Sequence, residues 1–151
     1  MNPRVVFDCM VFLQGAGRPK SPARKCFQLV DDDQVILFLS AEILTEVRDV
    51  LARPKTLKKF PQLSPEWVVT FVQNVEKKAV MLNNVPKTFS LKRDPKDEPY
   101  LNLAIAVGAR YLVSRDFDLL DLMNDEGFKK ACPELIILDP VAFLEAIARP
   151  A

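Results

Sequence analysis

Val35-Ile36-Leu37-Phe38-Leu39 is an unbroken apolar run of strand length, closed by Ser40. A strand with no polar face must be covered on both sides, which is the situation of a parallel sheet between helical layers. The flanking segments supply such cover. Ser21 to Val30 predicts a helix with Ser21 as N-cap and Pro22 at the first helical position. After Ser40 and Ala41, the residues Ile43, Leu44, Val47, Val50 and Leu51 recur at helical spacing until Pro54 stops the pattern.

The same alternation runs through the chain. Val5 to Phe7, Tyr111 to Ser114 and Leu135 to Leu138 predict further strands, and Ser64-Pro65 opens a helix expected to reach Met81. Asp97 to Val107 predicts a helix ended by Gly108, Asp118 to Met123 a short one with Asp118 as N-cap, and Asp139-Pro140 a last one to about Ile147. Gly15 to Pro22 is expected to be a loop, and Lys87 to Pro95 a polar connection. Strands alternating with helices predict an α/β fold of three layers around a mostly parallel central sheet.

With 151 residues the chain suits a single domain, residues 1–151. No apolar run approaches membrane-spanning length and no secretory h-region opens the chain, so a soluble, cytoplasmic protein is expected. Cys9, Cys26 and Cys132 form no C-x-x-C pair and read as reduced thiols. With no histidine, a typical zinc site and a Ser-His or Cys-His nucleophile pair are disfavoured, so catalysis must draw on carboxylates, Lys, Tyr or a thiol. The formal net charge of +1 means that any nucleic acid must be held by a local basic patch.

The acids carry the chemistry. Asp8 and Asp116 each follow a predicted parallel strand, at the carboxyl edge where open α/β sheets hold ligands. Glu46 shares a helix face with Ile43 and Val50, and Asp97 heads the helix leading into the Asp116 strand. Convergent carboxylates raise one another's pKa unless a cation neutralises them. An all-oxygen ligand set suits Mg²⁺ or Mn²⁺, which can activate water and shield the charge developing on a phosphodiester.

Asp8 after Val5-Val6-Phe7, the segment Ser40 to Val47, and above all Arg93-Asp94-Pro95-Lys96-Asp97-Glu98 through Gly108 to Leu120 resemble PIN domains. Within that family the chain is similar to the bacterial branch of toxin components from toxin–antitoxin systems. The resemblance covers nearly the whole chain. It implies a Rossmann-like fold and a Mg²⁺- or Mn²⁺-dependent ribonuclease site with Asp8, Glu46, Asp97 and Asp116 as its acids, supported by Ser114. It also implies an RNA substrate, frequent homodimerisation and an antitoxin partner. One position departs from the pattern: the Thr or Ser and Asn that usually follow the first Asp are here Cys9 and Met10, and Met lacks the amide's donors and acceptor. That departure keeps open a catalytically weak module that binds RNA or protein. A phosphatase with a nucleophilic Asp would need a second Asp where Met10 stands.

Other residues carry narrower expectations. Asp118 could assist the metal or its water, and Asp94 and Glu98 compete with Asp97 for its duty. Arg53, Lys55, Lys58 and Lys59, near Phe60 and Trp67, form a basic cluster able to hold RNA phosphates. The groups Arg18, Lys20, Arg24 and Lys25, and Lys92, Arg93 and Lys96, are comparable.

Overall fold

Each predicted apolar run forms a strand. In the computed structural model, which describes residues 2–92 and 94–149, five strands form one sheet: β1 (Arg4–Phe7), β2 (Ile36–Ser40), β3 (Val80–Leu82), β4 (Tyr111–Val113) and β5 (Ile136–Leu138). Their order is β3-β2-β1-β4-β5, and every neighbouring pair is parallel. Val5 pairs with Leu37 on one side and with Tyr111 on the other, so β1 is the central strand and is fully buried from Val5 to Phe7.

Nine helices connect the strands among the described residues: α1 (Cys9–Gly17), α2 (Pro22–Asp31), α3 (Ala41–Ala52), α4 (Pro54–Lys59), α5 (Pro65–Lys78), α6 (Glu98–Val107), α7 (Phe117–Leu120), α8 (Glu126–Ala131) and α9 (Pro140–Ala148). Asp8, Ser21, Ser40, Ser64, Asp125 and Asp139 each accept a hydrogen bond from the amide three residues on, satisfying a helix-end donor. Gly108 takes the left-handed conformation, φ 64°, that ends α6. Helix α6 packs across β1, β2 and β4, while α2 packs against α1, α5 and α9. The interior is aromatic: the Phe27 ring meets Phe7, Phe12 and Phe71 edge-on at 5.1 Å each.

Four expectations need correction. Gly15-Ala16-Gly17 is not loop but the last turn of α1, and only Arg18 to Ser21 connects it to α2. A Cβ on Gly15 would come within 2.5 Å of the Phe27 ring and one on Gly17 within 2.7 Å of Phe60, so the glycines serve close packing rather than a turn. The helix expected to reach Met81 ends at Lys78. Residues 80–82 leave it to pair with Phe38, Leu39 and Ser40, because the open edge of β2 offers backbone groups that a helical pattern cannot reveal. Helices α1, α4 and α8 were not anticipated: α1 is buried from Val11 to Gly17 and so has no polar face, and neither α4 nor α8 has a full apolar stripe. Finally, the N-cap before Leu119 is Asp116; Asp118 is inside α7 and donates its amide to Asp116.

Arg93, expected in a basic group with Lys92 and Lys96, lies outside the described residues. Among the described residues no helix is long and apolar enough to cross a membrane.

Candidate metal centre

Where β1 ends, the Asp8 amide makes one more ladder bond, 3.0 Å to the carbonyl of Val113, and its side chain turns to cap α1. Oδ1 accepts from the Val11 amide at 3.1 Å and Oδ2 from the hydroxyl of Ser114. Asp8 is 3% exposed. Burial pushes its carboxyl from 3.8 up to about 6, against the pull of the bonds from Ser114 and from the amides of Val11 and Arg115; the charge of Asp116 adds to the rise.

Ser114 ties two acids together. Its Oγ also accepts from the Asp116 amide at 2.9 Å, so this fully buried hydroxyl is donor to one carboxylate and acceptor for the backbone of the next. The Asp116 carboxylate in turn accepts from the Asp118 amide at 2.8 Å, which fixes it at the carboxyl end of β4.

Asp97 closes a short 3-10 turn, Pro95–Asp97, that Asp94 opens by accepting from the Lys96 amide at 3.1 Å. Each of Asp94, Asp97 and Asp116 contributes one carboxylate oxygen to a group whose members lie within 4.8 Å of one another. Asp97 is 8% exposed, and its Oδ2 has no hydrogen-bond donor. Two carboxylates that face each other have no donor to share unless one is protonated or a cation bridges them. Accordingly the Asp97 carboxyl is held well above the usual carboxylate range, first by burial and then by the charges of Asp116, Asp94 and Asp8. This orphaned oxygen, in a set made only of carboxylates, fits a hard divalent cation such as Mg²⁺ or Mn²⁺.

Glu46, the fourth acid expected, is half-buried on α3 and stands apart from that trio. Its Oε1 accepts a 2.5 Å hydrogen bond from the hydroxyl of Tyr100, a ring that is 2% exposed. Cys9 is within range of both this pair and Asp8: burial pushes its thiol up to about 12, the charges of Glu46 and Asp8 add to the rise, and the Tyr100 hydroxyl opposes it. The structure therefore brings Asp8, Asp97 and Asp116 into mutual electrostatic range and leaves Glu46 outside that group, with Cys9 in range of both Glu46 and Asp8.

Two contributors lay beyond the residues chosen from sequence. Asp94 joins Asp97 rather than competing with it, because Asp94-Pro95-Lys96-Asp97 has the length of one tight turn that can present both carboxylates. Tyr100 carries no local signal of its role, because the Glu46 that its hydroxyl meets is 54 residues away in the chain.

The surroundings divide in character. A cleft of about 620 Å³ opens at the carboxyl ends of β2 and β3, lined by Ser40, Asn83, Asn84, Lys87 and, on either side of Asp97, Pro95 and Glu98. Lys55, Lys58 and Lys59 are exposed on α4, and Arg53 pairs with Asp49 at 2.6 Å. Phe60 is buried and Trp67 is half-buried, its Nε1 donating to the Ala16 carbonyl at 2.9 Å.

Compared with known proteins, residues 4–118 match the family model described as PIN domain. Uncharacterized protein MJ1680 of Methanocaldococcus jannaschii is 24% identical over 127 residues, 84% of this chain and 79% of the relative. The crystal structure of PAE2754 from Pyrobaculum aerophilum superposes with a TM-score of 0.56 at 15% identity, over 97% of this chain and 90% of the other, a likeness of fold.

Proposed function

This chain belongs to the PIN domain family, whose members are generally metal-dependent nucleases, and we propose that it is itself a Mg²⁺- or Mn²⁺-dependent ribonuclease folded as one PIN-like domain. The observation that carries the reading is the buried, donorless Oδ2 of Asp97 beside Asp116 and Asp94. Asp97, Asp116 and Asp94 would hold the ion, with Asp8 and Glu46 completing the acidic wall. When bound, the ion supplies activation of water and shielding of charge on the phosphodiester. Ser114 keeps Asp8 and Asp116 at a set separation, and Asp118 fixes Asp116 through its amide. The basic residues Arg53, Lys55, Lys58 and Lys59 belong to the RNA-holding surface in this reading.

RNA cleavage in Mn²⁺, with Asp8→Asn and Asp116→Asn as controls, tests the assignment. Loss of cleavage in both variants, each still folded, is the expected result; cleavage surviving both substitutions would sink it. The resemblance to toxin components extends the proposal to a cytoplasmic toxin with an antitoxin partner and a homodimeric state. An adjoining reading frame for a small DNA-binding protein would support that extension.

A second reading, a binding module with weak or no catalysis, is favoured by Cys9-Met10. Met10→Asn decides between them: a gain in Mn²⁺ affinity or cleavage speaks for a working site, and no response with all the acids in place speaks for the module.

A further inference from the structure

The chain has ten Phe, two Tyr and one Trp. All of them except Phe117 are buried in the core or packed against it, whereas Phe117 is 70% exposed, the most exposed of the large hydrophobic side chains among the described residues. Its position is particular. It follows Asp116 directly, so its Cα is about 3.8 Å from that of a candidate metal-holding residue. An aromatic ring left in water gains nothing for folding. On the other side of Asp116, Arg115 is also exposed, but it is not loose: its guanidinium donates to Oε1 of Gln14 at 2.8 Å. Arg115 also lines a cleft of about 620 Å³ together with Arg18 and Lys20, so a basic surface includes the residue that precedes Asp116.

Building on the ribonuclease reading, we infer that Phe117 is a stacking platform for a base of single-stranded RNA next to the scissile phosphate, with Arg115, Arg18 and Lys20 taking the adjoining phosphates. An exposed ring one residue from Asp116 offers a base an apolar face without demanding a particular sequence, and an ordered guanidinium suits a phosphate oxygen pair. The platform selects unpaired RNA, because a duplex keeps its base faces stacked on one another.

The test is fluorescence anisotropy of a short fluorescein-labelled oligouridine with the full chain in EDTA, where no cleavage occurs, alongside Mn²⁺ titration of the same variants. Phe117→Ala and Phe117→Leu should each weaken RNA binding on the order of tenfold while Phe117→Trp preserves it. Arg115→Ala should lower the slope of log affinity against log salt by about one. The Mn²⁺ isotherm should not move in any of them. Phe117→Ala binding RNA as the parent does would overturn the platform and leave the ring to a protein partner, while the metal-dependent cleavage reading stood on its own controls. Phe117→Leu binding as tightly as the parent would overturn stacking. A parent chain that neither binds nor cleaves RNA would remove the ribonuclease reading, and the platform with it.

Discussion

The phenol of Tyr100 donates a 2.5 Å hydrogen bond to Glu46 from a ring that is 2% exposed. The ring is anchored in the core and Glu46 is on a separate helix, so the bond decides where that carboxylate points. Tyr100→Phe keeps the ring and deletes only the donor. Groups that orient a metal's ligands typically matter about 10-fold or more in affinity, so Mn²⁺ binding by calorimetry should weaken by that order with little change in Tm. An unchanged isotherm would remove Glu46 from the metal's surroundings.

Ser114→Ala acts on two acids at once. It leaves the buried Oδ2 of Asp8 and the part-buried amide of Asp116 without their partner. Each unmade buried hydrogen bond costs roughly 1–3 kcal/mol, so Tm should fall by several degrees. Asp8 also loses a bond that favours its charged form, so its carboxyl should titrate above about 6. Calorimetric Mn²⁺ binding as a function of pH would then show its acid limb displaced upward. A limb that stays in place, or moves down, contradicts the bridging role.

The raised carboxyls set a pH dependence for the metal-free protein. Well below pH 3.8 Asp8 is protonated whether the chain is folded or not, and contributes no slope. As pH rises from 3.8 through about 6 the unfolded chain releases this proton first, so stability is lost, by roughly 3 kcal/mol at completion. Asp8→Asn escapes that loss, and its stability relative to the parent in urea should climb over this window. Asp97, raised in the same direction, extends the effect to higher pH. A divalent ion that binds the charged forms opposes it, so Mn²⁺ should raise the parent's Tm more at pH 7.5 than at pH 5, and Asp97→Asn should reduce that gain. A parent and Asp8→Asn that keep a constant difference across the window would refute the buried-acid account.

Much of this architecture was legible because it is local. Five consecutive apolar residues from Val35 to Leu39 demanded a doubly covered strand, and Ser21, Ser64 and Asp139, each followed by Pro, marked helix starts that the structure reproduces. Asp8 and Asp116 were placed at the carboxyl edge by the strands before them, with no need of long-range information. Part of what escaped was nonlocal. Strand β3 exists because β2 has an open edge, and the Tyr100 hydroxyl matters because α3 and α6 meet. Asp94 escaped for a smaller reason: one tight turn carries it and Asp97 to the same group, and only the family pattern ranks Asp97 first.

The glycines of α1 reverse an ordinary expectation. Replacing Gly by Ala inside a helix usually stabilises by about 1 kcal/mol. At Gly15 the new Cβ would approach the Phe27 ring to 2.5 Å, and that ring is itself wedged among Phe7, Phe12 and Phe71. It cannot retreat without moving three other rings. Overpacking of this kind costs about 1–3 kcal/mol, which outweighs the helical gain. Gly15→Ala should therefore lower Tm by a few degrees. Because α1 carries the Asp8 cap at its other end, the displaced helix should also weaken Mn²⁺ binding. A variant as stable as the parent would mean that the aromatic cluster yields, and that α1 reaches this sheet for reasons other than the close contact of Gly15 with Phe27.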